Sequence, residues 1–394
     1  MSKYLLEIGT EELPANFSKS VVTQFKSLIE FELDKKLIKY EKLLCTSTPR
    51  RIVIFIEGLS DHASDKSIKR KGPKAVTAFL NGKPTKAAIG FAKSLELDVS
   101  DLEIKKTDKG DFVFGNKMEK GESTISGLTE IIPRLIRNLQ GPRFMKWGYG
   151  NFKFSRPIRW IVSLHNNEIL SFELDQCDPK IFISNKSRGH RLIKEIIEIN
   201  DPDDYVELLL KNGVLVKREE RKEKIKSLII KNSRSLNVNP DLSEELINEL
   251  TDLVEFPYLI IGQFNREFLN LPLEVLTTVM KTHQRYIPLL QTDKNFSKLD
   301  LTSEKILSTN FFVISNGIKQ SSDNIAKGNE KVLKARFSDA KFFVESDKKV
   351  PSMERNEKLK YVSYLKGMGN VFNRVERIQT IAEKVIKCLD DKNI

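Results

Sequence analysis

The sequence predicts an α+β fold spread over several domains, with mixed sheets and helical insertions. Three observations carry that expectation. Short apolar or β-branched runs at 4–8 and 51–57 read as strands, while Phe17, Val21, Phe25, Leu28 and Ile29 keep helical spacing. The two kinds of block mix without regular strand–helix–strand alternation, and no repeat of fixed period is visible. A chain of 394 residues is also long enough for roughly two to four domains.

In chain order, the strand at 4–8 is broken by GTEELP at 9–14, and a helix follows from Phe17. With the buried strand at 51–57, these define a first α/β segment, 1–60. Residues 61–86 are polar and basic, with Gly72-Pro73 and Gly82-Lys83-Pro84 as breakers. Short helices at 85–95 and 100–104 and a hairpin corner at 107–114 complete a small helical insert over 61–115. An amphipathic helix at 127–139, interrupted by Pro133, and strands at 152–166 and 168–174 give a mixed segment over 116–200.

Asp201 can cap a helix, with Pro202 at its first position and Asn212-Gly213 closing it. A second helix covers 218–235. A third starts near Asp241, whose spacing to Glu244 is that of a capping box. A strand at 258–264, a helix at 272–281, a strand at 311–315 and a helix at 329–344 complete an α+β domain with basic helices over 201–350. Residues 351–394 read as the start of a truncated helical domain.

Composition narrows the function classes. Apolar residues at 40% recur in periodic blocks, which excludes a disordered chain. The apolar runs fall far short of the ~20 residues of a membrane span. Glu7, Glu11 and Glu12 interrupt the N-terminus, so no signal peptide is expected there. Cys45, Cys177 and Cys388 stand apart and suggest neither a disulfide framework nor zinc, so a reduced, cytoplasmic compartment is expected. The net charge is +12. Residues 61–150 carry 17 basic and 11 acidic groups, and residues 211–234 carry 9 and 3. Such patches suit a polyanion. They also suit a solvated helix face, since Glu219, Glu220 and Glu223 interleave with the bases.

No phosphate-binding P-loop is present, and Gly367-Met368-Gly369 reads as a turn. The four histidines are isolated, so no catalytic residue and no metal ligand is assigned. Two polar clusters stand out instead, SRGHR at 187–191 and KTHQRY at 281–286. Arginine forks suit phosphate oxygens, and His or Tyr can stack on an unpaired base. Arg188, His190, Arg191, His283 and Arg285 are therefore candidates for RNA contact. Lys331 and Arg336, with Lys334 and Lys341, add a basic side to the helix at 329–344. The bland alternative for all of these is pairing with carboxylates. Thr48-Pro49-Arg50-Arg51 sets two arginines before a strand, Lys69-Arg70-Lys71 reads as an exposed loop, and Trp147 and Trp160 read as packing.

Longer motifs are more specific. They include LLEIGTEELPANF at 5–17, TPRRIVIFIEGL at 48–59, FSRPIRWIVSL at 154–164, RGHRL at 188–192, MKTHQRYIPL at 280–289 and GNEKVLKARFSDAKFFVESD at 328–347. With these the chain resembles the N-terminal part of the beta subunit of bacterial heterotetrameric glycyl-tRNA synthetase. The resemblance implies a subunit without its own active site, which binds tRNA(Gly) and is required for transfer of glycine to the tRNA 3′ end. It implies an alpha subunit that activates glycine with ATP, and an alpha2-beta2 assembly. In that family the chain continues into an HD-type domain and an anticodon-binding domain; this sequence has no His-Asp dipeptide and is expected to be a shortened form. The residue candidates rest on their chemistry, not on the resemblance. The competing expectation is an interaction module that holds the alpha subunit and binds RNA little.

Overall fold

The structure is a computed structural model and describes residues 2–390 apart from 109, 194, 292–305 and 318. Its architecture is α+β, with several small antiparallel sheets and interspersed helices. The chain forms two compact units. The first comprises Met1–Leu228, Ser243–Tyr258 and Ile314–Lys319; the second comprises Ile229–Leu242, Leu259–Val313 and Gln320–Ile394.

The first unit begins with β1 (Ser2–Thr10), α1 (Ala15–Lys35), β2 (Lys42–Thr48) and β3 (Arg51–Leu59). A small module follows, with β4 (Lys66–Lys74), α2 (Ala75–Ala78), a two-residue ladder of β5 (Phe79–Leu80) and β6 (Lys83–Pro84), α3 (Lys86–Ser94), β7 (Glu103–Thr107) and β8 (Gly110–Glu119). Next come α4 (Thr124–Asn138), β9 (Ile158–His165), β10 (Glu168–Ile169), β11 (Ile183–Ser184), β12 (Lys186–Arg188) and β13 (Ile196–Glu198). Helices α5 (Tyr205–Lys211), α6 (Arg218–Leu236) and α7 (Glu244–Leu253) follow; α6 runs on into the second unit.

The main sheet has the order β10-β9-β1-β3-β2, with β11 joining β9 in parallel. β1 lies between two antiparallel neighbours and is buried on both faces, as a central strand must be. Tyr4, Leu6 and Ile8 pack in one core with Phe17, Val21, Phe25, Ile29 and Leu33 of α1 and with Leu128, Ile132 and Leu135 of α4. Their spacing of three or four residues puts the helical side chains on one stripe. Leu5, Val53, Trp160 and Val162 face the other way, onto Ile197, Tyr205, Leu209 and Val214.

The second unit holds a four-stranded sheet, ordered β14 (Val238–Pro240), β16 (Ile287–Gln291), β17 (Leu307–Ser315), β15 (Tyr258–Gln263). A helix over Ser322–Lys349 sends Leu333 and Phe337 into its core beside Phe264, Phe268 and Phe311. A small hairpin, Ser363–Leu365 with Gly369–Asn370, and the helix Val371–Asp390 follow. Gly367 and Gly369 take φ of 83° and 80° in that hairpin, so this glycine pair is the turn expected of it.

Four local expectations are corrected. Lys69-Arg70-Lys71 lies in β4 and not in a loop, because the backbone ladder to β8 overrides a polar sequence. The helix expected at 100–104 is one 3₁₀ turn, Val99–Asp101, leading into β7. Of the strand expected at 168–174 only Glu168–Ile169 forms strand, with Leu170 N still donating to Ser163 O at 3.0 Å. The cap of α7 is Ser243, whose Oγ accepts from Leu246 N at 3.2 Å; Asp241 instead pairs with Lys281 Nζ at 2.7 Å. Asp201 does cap as expected, accepting from Asp203 N, but the first turn is 3₁₀ before α5 begins. Among the described residues no helix is long and apolar enough to cross a membrane.

Candidate functional site

On the face of β1 that carries Leu5, Glu7 and Gly9, the register sets Arg51 of β3 and Trp160 of β9 directly opposite Gly9. A Cβ on Gly9 would lie 1.8 Å from the Trp160 ring, so only glycine lets the indole cross the strand here. The indole Nε1 donates to Glu7 Oε1 at 2.7 Å, and Ser187 Oγ of β12 donates to Glu7 Oε2 at 2.7 Å. Arg51 is fully buried. Its Nε stands 3.3 Å from Glu7 Oε1 and its Nη1 2.9 Å from Glu255 Oε1, and its Nη2 donates to the Arg188 carbonyl at 2.9 Å. Burial opposes the Arg51 charge, but Glu255 and Glu7 outweigh it and raise its pKa. Thr48 Oγ1 donates to Glu255 at 2.8 Å.

A second buried guanidinium, Arg221 of α6, donates to the carbonyls of Ser47, Leu215, Val216 and Thr251. Burial without a direct carboxylate pushes it down to about 10. Burial and the neighbouring Glu7 push the Tyr205 phenol well up. This node thus fastens the central sheet to β12, α6 and the segment after α7.

Three arginines gather round the Trp160 ring, with guanidinium carbons at 5.0 Å (Arg188), 5.6 Å (Arg50) and 5.7 Å (Arg51) from its centroid. Arg188 is exposed and Arg50 half-buried. Burial lowers the Arg50 pKa against the pull of Glu255, and among the described residues neither guanidinium makes a close ion pair. At the rim, Arg159 pairs with Glu11 at 2.7 Å and Arg191 with Glu12 at 2.6 Å. His190 is buried, with Nε2 3.0 Å from Asn316 Oδ1. That oxygen already accepts from Glu255 N at 2.8 Å, and Leu192 N donates to His190 Nδ1 at 3.4 Å, so His190 donates through Nε2. The structure therefore brings Arg188 and His190 to one node, one outside and one inside, with Arg191 in an ion pair beside them.

In the second unit the 281–286 cluster divides. Tyr286 turns inward, stacks on Phe311 with centroids 5.0 Å apart, and is pushed up to about 12 by burial. His283 ends a single π-turn, Val279–His283, and is exposed; Arg285 is exposed with a φ of 57°. Lys331 and Arg336 are both exposed on the Ser322–Lys349 helix. At about 100° per residue, Lys331, Lys334 and Lys341 fall on one flank of the Leu333–Phe337 stripe and Arg336 on the other.

The sequence reading gave no site role to Glu7, Glu255 or Arg221, nor to Ser187 although it lies in the 187–191 cluster. Each is an ordinary polar residue until partners up to 207 positions away meet it, so no local signal marks them. A cleft of about 430 Å³ is lined by Lys19, Val22, Leu44, Cys45, Thr46 and Lys217. Its one thiol, Cys45, is pushed up to about 12 by burial, which leaves it a poor nucleophile. Among the described residues no group of three His, Cys, Asp or Glu could hold a metal.

Fold and site together define a class: a multidomain α+β scaffold with a buried polar node. The chain belongs to the glycyl-tRNA synthetase beta subunit family, whose model matches residues 4–393. It is 42% identical over 383 residues to the glycine–tRNA ligase beta subunit of Trichodesmium erythraeum, covering 97% of this chain and 52% of that protein. It is 37% identical over 392 residues to that of Clostridioides difficile, covering 99% and 55%. The chain spans about half the length of the curated relatives it matches.

Proposed function

We propose that this chain is a tRNA-binding, non-catalytic beta-subunit portion of a glycine–tRNA ligase, supporting transfer of glycine to tRNA(Gly) by an alpha subunit. The observation that carries the reading is the pair Arg50 and Arg188, two guanidiniums on one indole that make no close ion pair among the described residues. Guanidinium forks match phosphate oxygens, and phosphate contacts position an RNA without reading its sequence. The buried node behind them fixes the Arg188 backbone through Arg51, so one of the two forks stands on a rigid base. Activation of glycine with ATP belongs in this reading to the alpha subunit, within a cytoplasmic alpha2-beta2 assembly.

The test is glycylation of tRNA(Gly) by purified alpha subunit with and without this chain. Charging that appears only with the chain supports the reading. No charging, with both proteins folded and a full-length beta subunit active in parallel, overturns its support of transfer and reduces the reading to binding. A second reading, an interaction module that binds the alpha subunit, is favoured by the exposed Ile378, Ile381, Val385 and Leu389 on the last helix. It expects a stable complex with the alpha subunit, no RNA being needed, and no salt-sensitive RNA binding.

A further inference from the structure

The small module over 66–119 carries a surface that the node does not explain. Its sheet has the order β4-β8-β7, with β8 in the centre. One face is covered: Val113 is fully buried against Ala78 and Ala88, and a Cβ on Gly115 would meet Leu95, Leu97 and Leu102. Phe112, Phe114, Asn116 and Met118 alternate with these residues and lie on the opposite face. Directly opposed residues of an antiparallel ladder share a face. Lys74, Lys71, Lys69 and Ser67 of β4 and Lys105 and Glu103 of β7 therefore join them. Both rings are half-buried and the other members of this face are exposed.

The polar residues on the face are unequal. Glu103, the one carboxylate, is held by Lys69 at 3.1 Å and Lys105 at 3.0 Å. Lys71 Nζ lies 3.5 Å from the Phe112 ring centroid, and Lys69 Nζ 5.5 Å from that of Phe114. Two rings about 7 Å apart on a central strand, with Lys71 resting over one and Lys69 near the other, form an aromatic and basic face from which a stacking base would displace the Lys71 ammonium.

We infer that this face binds unpaired nucleotides of RNA, with Phe112 and Phe114 each stacking one base and Lys71 and Lys74 facing the phosphates. Any base presents a π-face to an aromatic ring, so the platform tolerates sequence. A duplex keeps its base faces covered, so the platform selects single-stranded segments. An acidic peptide would satisfy the lysines but leave the two rings without a role. The inference rests on the RNA-binding reading above and adds to it the part of the RNA that is engaged.

The experiment compares binding of the full chain to two labelled RNA hairpins, one blunt and one with a four-nucleotide 3′ overhang. The wild type is expected to favour the overhang by roughly 5- to 100-fold, the range of one or two stacked bases. Phe112→Leu and Phe114→Leu keep the apolar bulk, so they preserve the fold, and each is expected to shrink that preference. Lys71→Gln is expected to lower the salt slope of binding by about one. Equal binding of both hairpins, or an overhang preference unaffected by the leucine variants, overturns this surface while leaving the wider RNA-binding reading in place. Competition by polyglutamate that is equally effective against wild-type and leucine variants assigns the face to acidic peptide and overturns it as well. No binding of either hairpin overturns both.

Discussion

Arg51 lies fully buried between Glu7 and Glu255, whereas Lys71, in the same compact unit, lies exposed against one phenyl ring. Both are single positive charges on antiparallel strands. The Arg51 guanidinium has no surface left to offer: its nitrogens meet two carboxylates and a backbone carbonyl. The Lys71 ammonium sits on an exposed residue and makes only a ring contact, so in the inference above it is free to exchange that ring for a phosphate. A basic composition therefore overstates the charge available to a polyanion. What distinguishes the two is whether the strand position faces a helix-covered layer or an open sheet.

The largest effect follows from removing the buried charge. Arg51→Met leaves Glu7 and Glu255 facing each other without a cation, and breaking a buried pair in this way costs about 3–5 kcal/mol. Urea unfolding is expected to show that loss as a lower midpoint at unchanged slope. Lys71→Gln is expected to move the same midpoint by less than ~0.5 kcal/mol, as exposed substitutions do. Equal costs for the two would break the contrast. A smaller effect belongs to Gly9→Ala. The added methyl collides with the Trp160 ring, and overpacking of this kind costs about 1–3 kcal/mol. An unchanged thermal midpoint would mean the indole moves aside freely and does not anchor the node.

How far the sequence reveals these regions depends on the range of the interactions. The central strands, α1, α4, α6 and the long Ser322–Lys349 helix are legible because apolar spacing within a single element defines them. The capping-box spacing of Asp241 and Glu244 points to the wrong cap for α7, because Asp241 is taken by Lys281, 40 positions away, and Ser243 caps instead. The 66–119 sheet was obscured because β4 is almost wholly charged and polar, and its strand character comes from its ladder to β8. Arg188 and Arg191 could be picked out by residue type. The sequence could not tell that His190, between them, turns inward to Asn316, since that partner lies 126 positions away.

Arg191 supplies the finest test of the same contrast, because it sits beside the node yet outside it. Its Nη1 is 2.6 Å from Glu12, and both side chains are about half exposed. Water and salt screen such a pair, so its coupling to stability is expected to be ~0–1 kcal/mol. A double-mutant cycle with Arg191→Gln and Glu12→Gln isolates that term. It should shrink further when the unfolding curves are repeated at ~1 M salt, where the screening length falls to about 3 Å. The Arg51 pairs, out of reach of ions, should keep their cost under the same conditions. A coupling for Arg191–Glu12 well above 1 kcal/mol that survives high salt would place this pair inside the node's shielded interior. Its guanidinium would then be as unavailable to a phosphate as that of Arg51.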